Sequence, residues 1–196
     1  MFETLISKLQ DDKYLTLETT PQHEPSMHNI VEKIKKFKID SKVDGFTCTD
    51  NPLAKLKYNS LFAALKLQQE FKKPVIATMT MRDRNKIALQ SDLLGANDFD
   101  IRAILALTGD PANMSDQPNS KGVFEANSLM LLKMIKSFNY GMDFAGRPFK
   151  IEPKQIFPFA VVNAYKKNFG SLEKKMHLKI QNGAVGVITQ PVFDIE

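Results

Sequence analysis

The sequence predicts an α/β protein of the TIM-type (β/α)8 barrel class, and three observations lead there. Short apolar runs alternate with longer amphipathic stretches. Successive runs start mostly about 30 residues apart, the length of one strand–helix unit. Polar residues collect at the C-terminal ends of the runs: Glu18, Thr49 with Asp50, Thr80 with Asp83, Asp110, Asn163 and Gln190. Strand–helix alternation implies a parallel sheet with right-handed crossovers, either open and doubly wound or closed into a barrel. No Gly-x-Gly-x-x-Gly follows the first run, which weakens the doubly wound dinucleotide-binding option. A barrel enzyme assembles its site from several strand ends on one face, which the polar residues fit.

The first strand is expected over Tyr14–Thr19, followed by a helix that begins near Ser26, a suitable cap. That helix carries Ile30, Val31, Ile34 and Phe37 at helical spacing. Strand Val43–Thr47 is followed by a helix from Tyr58 to Phe71 with Leu61, Phe62, Leu65 and Leu67 on its apolar side. Strand Pro74–Thr80 precedes helix Asn85–Leu94. Strand Ile101–Thr108 opens into the longest irregular stretch, Gly109 to Gly122, with Pro111 and Pro118. A loop of that length at the catalytic face of a barrel is expected to be functional. Helix Glu125–Ser137, strand Ile156–Val162, helix Ser171–Gln181 and strand Ala184–Gln190 complete the series. Residues 1–196 therefore read as one barrel domain with six β/α units. A closed barrel needs eight strands and usually about 250 residues, so strands seven and eight are expected to lie outside this chain.

Composition bounds the function. A hydrophobic fraction of 43% and a charged fraction of 25% are those of a globular domain. No run approaches the roughly 18 apolar residues of a membrane span, and Met1 to Asp12 lack an apolar signal core. The expected location is the cytoplasm. Cys48 is the single cysteine, which agrees with a reducing compartment and excludes an internal disulfide. The net charge of +5 does not make a nucleic-acid binder: Lys33, Lys35, Lys36 and Lys38 form one wet helix face, without interleaved aromatics. His23, His28 and His177 lack metal-site spacing.

Five stretches, in order, carry a family resemblance: Glu18-Thr19-Thr20-Pro21; Thr80-Met81-Arg82-Asp83-Arg84-Asn85 with Ile87 to Gly95; Ala106-Leu107-Thr108-Gly109-Asp110-Pro111; Gly122-Val123-Phe124; and Thr189-Gln190-Pro191-Val192-Phe193-Asp194. Together they cover nearly the whole chain and resemble methylenetetrahydrofolate reductases, most of all the branch found beside methyltransferase domains. The resemblance implies a barrel holding FAD non-covalently, with NADH or NADPH as hydride donor and a folate as substrate. It implies reduction of 5,10-methylenetetrahydrofolate to 5-methyltetrahydrofolate by ping-pong turnover, in one-carbon and methionine metabolism, and self-association.

It also implies roles. Opening the folate's five-membered ring to an iminium cation requires a proton, which the resemblance assigns to Glu18. A carboxylic acid in a partly closed pocket can hold and deliver one. Asp110 matches an aspartate beside the flavin pyrimidine and the folate pterin, where it would bond the pterin donors and tune hydride release. Gly109, lacking a Cβ, would let the backbone approach the ring. Gln190 matches a residue that serves folate and nicotinamide in turn, since an amide both donates and accepts. Phe193 joins it in the substrate set. Thr49, Thr80, Asp83, Asn163 and Lys179 fall at cofactor positions, with Lys179 toward the FAD phosphates. The Arg82–Asn85 loop would shape the rim. Three departures concern fine contacts: Thr78 stands where a histidine is common, Thr108 where an arginine is, and Asn163 where many members have an aromatic, with Tyr165 nearby. Two other readings stay open, a non-catalytic folate- or corrinoid-partner barrel module and an inactive fragment of the reductase.

Overall fold

The computed structural model describes residues 1–11, 13–163, 169–191 and 193. Six parallel strands pair strictly in chain order: β1 Thr16–Thr19, β2 Gly45–Cys48, β3 Val75–Thr80, β4 Ala103–Leu107, β5 Phe157–Val162 and β6 Gly186–Thr189. Registers such as Glu18 to Thr47 and Thr80 to Leu107 align their C-terminal ends. A doubly wound sheet reverses its strand order at a switch point. This one does not. The sheet is singly wound and curls, so that residues of five strands, with Thr49 just past the end of β2, line one concave cleft. The strand centres agree with the expected runs.

Pleating divides each strand between two faces. Phe46, Cys48, Val75, Ala77, Met79, Ile104 and Ala106 turn outward into the main core. There they meet Val31 and Ile34 of α2 (His28–Lys36), Ala63 and Leu67 of α3 (Ser60–Phe71), Leu89 and Leu93 of α4 (Lys86–Asp98), and Leu131 and Ile135 of α5 (Ser128–Asn139). The sixth helix, α6, spans Phe169–Gln181. The inner face differs along its length. Its lower half is apolar, with Ile76, Ala103, Phe157 and Phe159 gathered under Phe2 and Leu5. Those two belong to α1 (Phe2–Asp11), an additional helix that lies over the N-terminal ends of the strands. Arg102 lies over the rings of Phe2 and Phe157, 5.0 and 5.9 Å from their centroids, and pairs with Glu3 at 3.1 Å.

Three helices begin at asparagine caps. The Asn59 side chain accepts from Leu61 N and Phe62 N, Asn85 from Ala88 N, and Asn127 from Leu129 N. Each satisfies donors that the first helical turn leaves orphaned. The Asn127 cap starts α5 at Ser128, three residues later than Glu125. Two of the apolar residues noted on the expected helices stay outside the core: Phe37 is 58% exposed and Phe62 61%. Phe37 is the residue that ends α2, and α3 buries the small side chains of Ala63 and Ala64 instead of the ring. Further on, Asn97 exchanges bonds with the Lys154 backbone and Asn139 with Ile156, both N–H and C=O in each case. These amides act as substitute backbone for the segment that feeds β5.

Candidate active site

The polar upper half of the inner face opens into a cleft of about 480 Å³ at the C-terminal strand ends. That volume lies within the range of small-molecule sites. Two carboxylates and an amide come from separate strands: Glu18 from β1, Asp110 from the β4–α5 loop and Gln190 from the end of β6. Thr49, Thr78, Thr80 and Thr108 line the cleft as well, the Thr108 hydroxyl accepting from Ser128 N at 3.1 Å. Below lies an apolar floor of Leu105, Leu107, Val161 and Ile188. Period-two alternation brings this about, since Thr78 and Thr80 point inward while Ala77 and Met79 point to the helices.

The loops above the strands are tied by charge. Asp50 accepts from Thr80 N and Thr80 Oγ1, each at 3.0 Å, and from Arg84 Nη1 at 2.6 Å. Arg84 continues to Asp92 at 2.8 Å. The Thr80 hydroxyl therefore donates within the protein and keeps only acceptor capacity for a ligand. Thr49 Oγ1 is different: it is buried and has no hydrogen-bond partner among the described residues. Asp110 accepts from Leu53 N at 2.6 Å through one oxygen, leaving the other available.

Gly109 has φ +97°, and a Cβ there would lie 3.0 Å from Arg82 Cβ and 3.2 Å from Thr80 Cβ. Its need for glycine is met within the protein, by backbone twist and close packing, before any ring approaches. Gly109→Ala is expected to cost about 1–3 kcal/mol of stability, read as a lower urea midpoint with unchanged slope.

The cleft brings together Glu18, Thr49, Thr80, Gly109, Asp110 and Gln190. It does not include Asp83, Asn163, Lys179 or Phe193 among its lining. Asp83 forms a two-pronged pair with Arg82, at 2.8 and 2.7 Å, and that hydrogen bonding holds its carboxyl below the usual range. Lys179 donates to the Val161 carbonyl. Burial, then the like charge of Lys175, pushes its ammonium down. Asn163 is exposed at the end of β5, and Phe193 is 92% exposed. Tyr165, Val192 and Asp194 lie outside the described residues. Sequence reasoning gave no role to the Asp50–Arg84–Asp92 chain. The available signal was the strand-end Asp50 and the Arg82-Asp83-Arg84 run, but their pairing across 34 residues is a tertiary fact.

A singly wound, curled sheet of six parallel strands with acid, amide and hydroxyl residues at its C-terminal rim defines an α/β protein built as part of a β/α barrel. The chain belongs to the methylenetetrahydrofolate reductase family, whose model matches residues 3–196. Among solved structures, it is similar to an uncharacterized protein from Clostridium thermocellum that binds two copies of 5-methyl-5,6,7,8-tetrahydrofolic acid. The two share 12% identity with a TM-score of 0.57, over 98% of this chain and 59% of that one. This likeness is one of fold, and the chain spans 59% of that structure's length. Anabaena HepE, solved in complex with UDP-glucose, aligns at 11% identity over 97% of this chain and 59% of that one, with a TM-score of 0.24 that carries no weight. No curated protein matches the chain. No helix among the described residues is long and apolar enough to cross a membrane.

Proposed function

We propose that the chain is the catalytic barrel, or its larger part, of an FAD-dependent enzyme that reduces 5,10-methylenetetrahydrofolate to 5-methyltetrahydrofolate with NADH or NADPH. One observation carries the reading: in a chain of this family, Glu18, Asp110 and Gln190 from three separate strand ends line a single cleft. The closed eight-stranded barrel, the cytoplasmic setting and self-association belong to the same proposal.

The cleft suits a flavin. A flat heteroaromatic ring needs an apolar bed and polar groups at its edge, and here the bed is Leu105, Leu107, Val161 and Ile188. The edge includes the unpartnered Thr49 hydroxyl, whose burial without a bond otherwise only costs stability. When bound, FAD would supply the chemistry of taking a hydride from the nicotinamide and releasing it to the folate carbon. Thr49, Thr80 and the backbone at Gly109 would hold the ring. Asp83, Asn163 and Lys179 lie away from the cleft lining and would bear on more remote parts of the cofactor.

The residues divide the remaining work. Glu18 gives its proton to the folate nitrogen that leaves the methylene carbon, so that the iminium forms beside a carboxylate of opposite charge. Asp110 keeps one oxygen on Leu53 N and offers the other to the pterin amino and amide donors. Gln190 turns its amide to accept from one planar reactant and donate to the next. Phe193 would add apolar cover for the folate.

The test starts from full-length protein. Expected results are bound or readily acquired flavin with its visible absorbance, bleaching by NADH or NADPH, and recovery of colour on adding 5,10-methylenetetrahydrofolate. Protein that takes up no flavin when supplied with it overturns the reading. Folate binding without bleaching would mark a non-catalytic binding module instead.

A further inference from the structure

We infer that Arg82 is a positioning residue for the folate-facing carboxylate, acting through a left-handed loop that it pins above the cleft. Arg82 does not line the cleft; its side chain is 2% exposed, beneath the loops. Its Nε and Nη2 grip Asp83, and Nη2 also donates to the carbonyl of Asn51 at 3.0 Å. Two residues beyond that carbonyl, Leu53 N donates to Asp110 Oδ2 at 2.6 Å. Between and around these two anchors the backbone is left-handed at three residues that are not glycine: Asn51 at φ +43°, Leu53 at +55° and Ala54 at +57°. Side chains with a Cβ adopt that conformation singly and at a cost, and a cluster of three persists only where surrounding bonds over-determine it. Two of those bonds are the Arg82 and Asp110 contacts.

Arg82 also reaches the other side of Asp110. Its Cβ packs where Gly109 has no side chain, and its carbonyl accepts from Val123 N at 2.6 Å, closing the far end of the β4–α5 loop. One buried guanidinium residue thus fixes three loops around a single carboxylate. Its Nη1 stays buried and without a partner among the described residues, so placement rather than full pairing governs this side chain. Lysine cannot replace it, because a point charge lacks the planar fork that holds Asp83 and Asn51 O together. The inference rests on the reading above only for what Asp110 binds; the latch itself is a property of the protein.

Amide hydrogen exchange tests the latch without ligand. Arg82→Lys and Asp110→Asn are each expected to lower protection of the amide at position 53 about tenfold, with β4 amides unchanged. Protection at 53 that survives Arg82→Lys overturns the inference. If Arg82→Lys does not fold, Leu53→Gly decides: it keeps the N–H and relieves the positive φ that the latch holds, so the melting temperature should stay equal or rise and exchange at 53, corrected for the intrinsic rate of glycine, should slow or stay the same. Faster corrected exchange there means that no strain is being held at Leu53, and it overturns the latch as well. In flavin-loaded protein, Arg82→Lys and Asp110→Asn should each weaken 5-methyltetrahydrofolate about tenfold, and the double variant no further than Asp110→Asn alone. Additive losses mean that Arg82 acts independently of Asp110, and the inference fails. A wild-type protein that binds no folate overturns the proposed function, while the exchange result still decides the latch.

Discussion

Glu18→Gln is expected to lower folate reduction by about 10²–10⁴-fold while NADH or NADPH still bleaches the flavin at close to the original rate. The substitution preserves shape and removes the only proton the side chain can give. Glu18 sits at the third position of β1, in register with Thr47, with its side chain in the cleft that Asp110 also lines. Rapid mixing separates the two half-reactions. If both fall together, the carboxylate is holding the flavin rather than protonating the folate, and its assignment as the acid is wrong. If neither the parent nor the variant turns over folate, the barrel is a binding module.

Asp50→Ala is expected to cost about 3–5 kcal/mol, the largest stability effect anticipated away from the apolar core. The Asp50 carboxylate is 1% exposed and accepts four bonds, two from Thr80 and two from Arg84. Removing it strands the Arg84 guanidinium in a nearly dry site with Asp92 as its remaining charged partner. The loss is that of an uncompensated buried charge, larger than anything an exposed pair contributes. Equilibrium urea unfolding reads it directly. A loss below about 1 kcal/mol would mean that water reaches Arg84 and the site is far wetter than described.

The inner strands were legible because a strand covered on both faces is written as a largely apolar run, as Val75 to Met79 and Ala103 to Leu107 are; β1 and β6, only partly covered, were legible from the spacing of the series. The polar strand ends were legible for the converse reason: Glu18, Thr49 and Gln190 interrupt those runs. The first helix was missed although Phe2, Leu5, Ile6 and Leu9 stand at i, i+3, i+4 and i+7: a strand–helix series is read from its first strand, and a helix of ten residues ahead of it persists by packing on the sheet. Nor was the left-handed loop legible, since Leu53 and Ala54 carry no signature of positive φ; tertiary bonds impose it. Gly109 was singled out correctly for its missing Cβ, but the neighbours that forbid one, Arg82 and Thr80, are known only from the fold.

The helix over the lower strand ends has an electrostatic consequence. With Phe2 and Leu5 seated on Phe157, Phe159 and Ile76, the curled sheet forms a vessel with a dry bottom. In the proposed reaction, field lines between a rim carboxylate and a cation forming on the folate would cross hydrocarbon on the lower side and solvent only on the upper, where Glu18 is exposed. Water at both ends, as in an open tube, would screen the same two charges more completely.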